Sequence, residues 1–141
     1  QSFRYALLPF SGSDGTATVL DWDARWRTPV PVVQGVEAGS TPSGSLLSLG
    51  AGASRISAVK RHEDRDTLVV RLWNPGATED VQRLRFGPAI HGAWITNLLE
   101  EREAVLSSVD RAGRHLELRL GPHEILTIEI EIESAAGASA S

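Results

Sequence analysis

Cysteine is absent from this chain, and its absence excludes disulfides and thiolate metal sites. Methionine is absent too, so residue 1 is not expected to be a natural start, and the stretch reads as a fragment of a longer protein. Positive charge comes almost wholly from arginine, with Lys60 the single lysine, a bias that predicts a GC-rich bacterial source. The formal net charge is −4, and no clustered basic face appears, which argues against a nucleic-acid partner. No apolar run approaches the ~20 residues needed to cross a bilayer, and no signal-peptide pattern opens the chain. A cytoplasmic protein with no membrane partner is the expectation.

What is present is strand pattern. Leu116-Glu117-Leu118-Arg119-Leu120 and Ile125 to Glu133 both alternate apolar and polar residues with period two. That period sends one set of side chains into a core and the other into water. Gly121-Pro122-His123-Glu124 between them ends the first strand, so the second either packs beside it or crosses to another sheet. Further strands are expected at about Ser45–Leu49, Ser54–His62, Thr67–Trp73, Val81–Phe86 and Ala93–Asn97, with Val105 and Leu106 in another. Asn74-Pro75-Gly76 and Asp110-Arg111-Ala112-Gly113 supply turns. Short strands at regular spacing predict an all-β, antiparallel β-sandwich.

The N-terminal part differs. Phe3 to Phe10 reads as a strand that stops at Pro9. From about Thr16 to Arg27 the spacing is helical, with Val19, Trp22 and Trp26 on one face that should be buried. Asp21 with Arg25, and Asp23 with Arg27, stand at i, i+4 in the favourable acid-first order. Pro29 and Pro31 stop this one short helix. Residues 35–44 are rich in Gly, Ser and Pro and predict a flexible connection, and residues 134–141 predict a disordered Ala/Gly/Ser tail. Residues 1–133 are therefore expected to form a single β-sandwich domain.

Candidate chemistry is sparse. His62-Glu63-Asp64-Arg65-Asp66 holds ligand-type residues but lies between two strand signals, where a solvated charged turn is expected. Glu100-Glu101-Arg102-Glu103 pairs carboxylates, yet neighbours in sequence do not straddle a sugar ring, and a surface charge run is the simpler account. His91, His115 and His123 lack the spacing of a zinc motif. Trp73 falls opposite Leu68, Val70 and Leu72 on its strand, on an outer face shared with Val69 and Arg71. Trp94 is compatible with either a core or a surface role. Arg71 and Trp73 are the residues best placed for a substrate rim or an interdomain contact.

Five segments, in order, resemble the C-terminal β domain of glycoside hydrolase family 38, the retaining α-mannosidases. They are Phe3-Arg4-Tyr5-Ala6-Leu7-Leu8-Pro9; Ser57-Ala58-Val59-Lys60 with its acidic turn; Val69-Val70-Arg71-Leu72-Trp73-Asn74-Pro75; Thr96-Asn97-Leu98-Leu99-Glu100-Glu101; and Pro122-His123-Glu124-Ile125-Leu126-Thr127-Ile128. Two positions depart from the family pattern: Phe10 stands where a His is common, and His123 where Phe or Tyr is usual. The resemblance implies a parent enzyme that cleaves α-mannosides, with its Asp nucleophile, acid/base carboxylate and zinc in an N-terminal catalytic domain. No catalytic residue and no zinc ligand is carried over to this chain. The implied partners are that catalytic domain and, in the parent, an α-mannoside substrate. Separately, the apolar surface and strand edges that a domain cut from its partners exposes make a homo-oligomer a further expectation. An independent carbohydrate-binding module and a purely structural or oligomerisation domain are the alternatives.

Overall fold

The computed structural model describes residues 5–9, 11, 15–27, 45–110 and 112–133. By its internal contacts the chain divides into two compact units, Gln1–Pro42 and Ser43–Ser141. The ends of the Phe3–Phe10 segment, Pro29 and Pro31, the 35–44 connection and the 134–141 tail lie outside the described residues.

In the first unit, helix α1 spans Gly15–Arg27, as the spacing predicts. Arg25 and Arg27 stand in its last turn, where cations favour the helix dipole. The Arg27 guanidinium reaches Asp23 at 2.7 Å. Two expectations need correction. Residues 5–9 form no strand: none of them pairs with another strand among the described residues, and an unpaired strand has no ladder hydrogen bonds to hold it. Trp22 and Trp26 are not closed in a core but stay 53% and 46% exposed. Together with Val19, Tyr5, Leu7 and Leu8 they line an open concavity of about 620 Å³. One helix and one short segment have too little apolar surface to close over two indoles.

The second unit is the sandwich. Its strands are β1 Leu47–Leu49, β2 Arg55–Arg61, β3 Leu68–Trp73, β4 Asp80–Phe86, β5 Ile90–Thr96, β6 Arg102–Val105, β7 His115–Leu120 and β8 Ile125–Ile132. They form a three-stranded sheet in the order β1-β4-β7 and a five-stranded sheet in the order β2-β3-β8-β5-β6. Every pairing is antiparallel. The core lies between the sheets, as period-two patterning requires. Leu84, Phe86, Leu116, Leu118 and Leu120 face Leu68, Val70, Leu72, Leu126, Ile128 and Ile130.

The closing pair takes the second of the two routes left open by its turn. β7 pairs with β4, and β8 crosses to the other sheet between β3 and β5. His123 adopts φ 55° in this crossing, and its N–H donates to the Gly76 carbonyl at 3.1 Å. Asn74 fastens the same end of the sandwich. It is fully buried, and its amide donates to the carbonyls of Thr78 and Gly121 at 2.8 Å each. Its Oδ1 accepts from Gly76 N at 2.8 Å. One side chain thus satisfies several backbone groups that a turn leaves unpaired.

β8 departs from the simple alternation. Leu126, Ile128 and Ile130 are in the core, but Thr127 and Glu129 on the opposite face are also buried, Glu129 completely. That face was expected to meet water.

Candidate functional site

Among the described residues, the outer face of the five-stranded sheet holds the densest polar chemistry. Antiparallel register sets its rows. Lys60, Val69, Glu129, Trp94 and Val105 lie across the strands in one row, and Ala58, Arg71, Thr127, Thr96 and Arg102 in the next.

Glu129 is the centre. Arg65, from the β2–β3 turn, donates Nε and one terminal nitrogen to the two carboxylate oxygens, each at 2.8 Å. Arg102, from β6, makes a second fork at 3.1 and 2.7 Å. Thr67 Oγ1 donates at 2.8 Å. Burial pushes the Glu129 carboxyl up, but the hydrogen bonds from Arg102, Arg65 and Thr67 outweigh it and hold the group well below the usual carboxylate range. Forked guanidinium–carboxylate pairs are the strong form of this interaction.

Trp94 covers one side. The Arg102 guanidinium lies 3.5 Å from its ring centroid, a cation–π contact. The indole lies over Gly92, where a Cβ would stand 2.3 Å from Trp94 Cη2. Only glycine leaves room for the ring to lie there.

The clamp continues into the β5–β6 turn. Arg65 also donates to the Glu100 carbonyl at 2.9 Å. Glu100 has φ 66°, a left-handed conformation that costs a non-glycine residue about 1–3 kcal/mol. Its carboxylate meets Lys60 Nζ at 2.8 Å and lies 4.0 Å from His62 Nε2. The hydrogen bond to Glu100 holds the Lys60 ammonium above its ordinary range. His62 Nδ1 accepts from the backbone N–H groups of Asp64 and Arg65 at 3.1 and 3.3 Å. Asn97 Oδ1 accepts from Leu99 N and Glu101 N at 2.9 and 3.1 Å, and its amide donates to Glu101 Oε2 at 2.7 Å. Leu98 and Leu99 project from this braced turn, 70% and 80% exposed.

Both charged segments therefore need correction. Glu63, Asp64 and Asp66 are solvated, but His62 is buried and Arg65 is drawn onto Glu129. Glu100 is not a surface charge, its side chain being 14% exposed. Turn composition and charge density both favoured solvent. What outweighed them is a buried carboxylate 64 residues away in sequence.

Arg71 and Trp73 lie on this same face, both half-buried. Arg71 Nε donates to Thr127 Oγ1 at 3.1 Å. Among the described residues no carboxylate pairs with its guanidinium. Trp73 stands at the strand end opposite Arg55 and Ile125, and Ile125 is 57% exposed. The structure places Arg71 one row and Trp73 two rows along the same face from Glu129. Thr96 Oγ1 is buried here without a hydrogen-bond partner.

The histidines stay apart. His115 Nδ1 contacts Asp110 Oδ2 at 2.8 Å; the Arg114 backbone N–H and His115 together hold the Asp110 carboxyl down at about 2. His91 and His123 are exposed. No group of three or more His, Cys, Asp or Glu among the described residues stands where it could hold a metal ion. The zinc that the resemblance implies would belong to the catalytic domain. No helix among the described residues is long and apolar enough to cross a membrane.

Two antiparallel sheets closed over one core, with a polar clamp on the outer face, define a β-sandwich domain. The family model of the glycosyl hydrolases family 38 C-terminal beta sandwich domain matches residues 54–128 of the 141. The chain belongs to that family, which implies a glycoside hydrolase parent with its catalytic domain in the same chain. No curated protein matches the chain.

Proposed function

We propose that this chain is the C-terminal accessory β domain of a retaining α-mannosidase-like hydrolase, supporting the catalytic domain and helping to wall its cleft. The observation that carries this reading is the family match over residues 54–128, which takes in β2 to β7, the clamp residues Arg65 and Arg102, and half of β8. Arg71 and Trp73 are its substrate-rim or interdomain positions. The half-buried guanidinium, held through Nε and without a carboxylate partner among the described residues, supports this reading because Arg is suited to a carboxylate or a sugar hydroxyl arriving from outside. The parent is a bacterial, cytoplasmic enzyme in this proposal, and zinc acts in its catalytic domain. Alone, this chain is inert. Assay on an aryl α-mannoside, with and without zinc, tests both parts. The parent should turn over and this chain should not; zinc-dependent turnover by this chain alone would sink the reading.

The alternative is an independent carbohydrate-binding module, favoured by Trp73 half-exposed beside Arg71. It requires saturable mannoside binding that Trp73→Ala abolishes. Titration calorimetry without heat at millimolar mannobiose would remove it.

A further inference from the structure

We infer that the β5–β6 turn, residues 97–101, is a rigid apolar plug that docks into a basic-rimmed socket on the catalytic domain of the parent enzyme. The inference rests on family membership, not on the mannosidase reading.

Leu98 and Leu99 are among the most exposed large apolar side chains of the sandwich, at 70% and 80%. Two adjacent leucines in water are commonplace on a loose loop, where they can fold back. Here they cannot. Asn97 ties its side chain to the backbone of Leu99 and Glu101, and Glu100 N donates to Asn97 O at 3.0 Å. The Glu100 carbonyl is tied to Arg65, and its carboxylate to Lys60. Arg65 is in turn anchored on the buried Glu129. A turn braced from β2 and from the β2–β3 turn anchored on β8, with a non-glycine residue in the left-handed region, holds its two leucines outward. Ordering a binding element beforehand removes the entropy cost of ordering it on contact.

Charge decides the occupant. Glu101 and Glu103 are exposed on the same hairpin, and Glu63 joins them through Lys60, whose ammonium lies 3.7 Å from Glu63 and 2.8 Å from Glu100. A second copy of this chain meeting the plug about a two-fold axis would bring these carboxylates against their own counterparts, which disfavours self-association. The complement is an apolar socket flanked by Lys or Arg. Two leucines are also far short of the roughly 1,000 Å² an independent interface needs. Within one chain the effective concentration is high and a small contact suffices.

The test uses the full-length parent enzyme with a photo-cross-linking phenylalanine analogue at position 99. The expected product is an intramolecular cross-link to a catalytic-domain peptide carrying Lys or Arg. No cross-link, or one only between copies, overturns the inference. In parallel, Leu98→Asp/Leu99→Asp touches no core residue, so the sandwich stays folded, as its circular dichroism will show. Cleavage between the domains under limited proteolysis should rise about tenfold in that variant; an unchanged rate overturns the inference. Neither readout depends on turnover. A cross-link in an enzyme inactive on mannosides upholds the docking while removing the mannosidase reading.

Discussion

Glu129 and Arg65 are 64 residues apart in sequence and meet at 2.8 Å through two parallel hydrogen bonds. That contact fastens the β2–β3 turn over the middle of β8, and Arg102 fastens β6 from the other side. Removing the carboxylate leaves two guanidiniums facing each other across an apolar strand. Breaking a buried ion pair from one side costs about 3–5 kcal/mol. Both arginines here reach solvent and can rehydrate, so Glu129→Gln should cost about 2–3 kcal/mol, at or below the low end of that range. Urea unfolding should show the loss as a lower midpoint with an unchanged slope.

The same carboxylate sets the acid response. Its folded pKa lies below the unfolded value, as does that of Asp110, held at about 2. On acidification the unfolded chain therefore takes up protons first. The stability these groups contribute is fully present above the unfolded values, about 4.3 for Glu and 3.9 for Asp, and is lost as pH falls through the folded ones. Thermal midpoints should be level from neutral pH to about 5 and then fall steadily toward pH 2. Glu129→Gln should flatten that fall, and a variant as acid-sensitive as the wild type would contradict the assignment.

Gly92 is the position where the sheet leaves room for Trp94. A methyl group there would stand 2.3 Å from the indole, so the ring must rotate away and give up its stack with Arg102. Overpacking of this kind costs about 1–3 kcal/mol, and the stack itself about 1 kcal/mol. Gly92→Ala should therefore destabilise the domain and shift Trp94 fluorescence. Comparison with Trp94→Phe in the same background separates that signal from the other three tryptophans.

Period-two runs made the sandwich legible, and the turns at Asn74 and Asp110 follow from their residue types. The division of β7 and β8 between two sheets did not, because a Gly-Pro turn permits either outcome. Trp73 and Arg71 could be assigned to the outer face by counting from Leu72. Glu129 could not be singled out. An Ile-Glu-Ile segment reads alike on an edge strand, where the Glu meets water, and on a central strand, where neighbours cover it. The signal was strand order, which depends on long-range pairing. His62 and Glu100 were misread for the same reason: local charge density indicates solvent, and the partners that bury them lie elsewhere in the chain. The tryptophans of α1 erred in the opposite sense. Helical spacing identifies a face but not the surface needed to cover it.

Asn74 gives the sharpest test of how the sandwich is closed at its turn end. Its amide nitrogen donates to Thr78 and Gly121 carbonyls, with a longer bond of 3.3 Å to Leu120, while its oxygen receives Gly76 N. Asn74→Ala leaves these groups unpaired inside the protein, at a cost of about 1–3 kcal/mol for each buried group that water cannot reach. Asn74→Asp keeps the acceptor for Gly76 but replaces the donor nitrogen with an oxygen that repels the Thr78 and Gly121 carbonyls. It should therefore be at least as damaging as alanine, despite its closer shape. If aspartate restored stability instead, the Gly76 bond alone would be holding the turn, and the carbonyl contacts would be incidental. Hydrogen exchange of the Gly76 and His123 amides separates the two cases, since His123 N–H reaches the Gly76 carbonyl across the same closure.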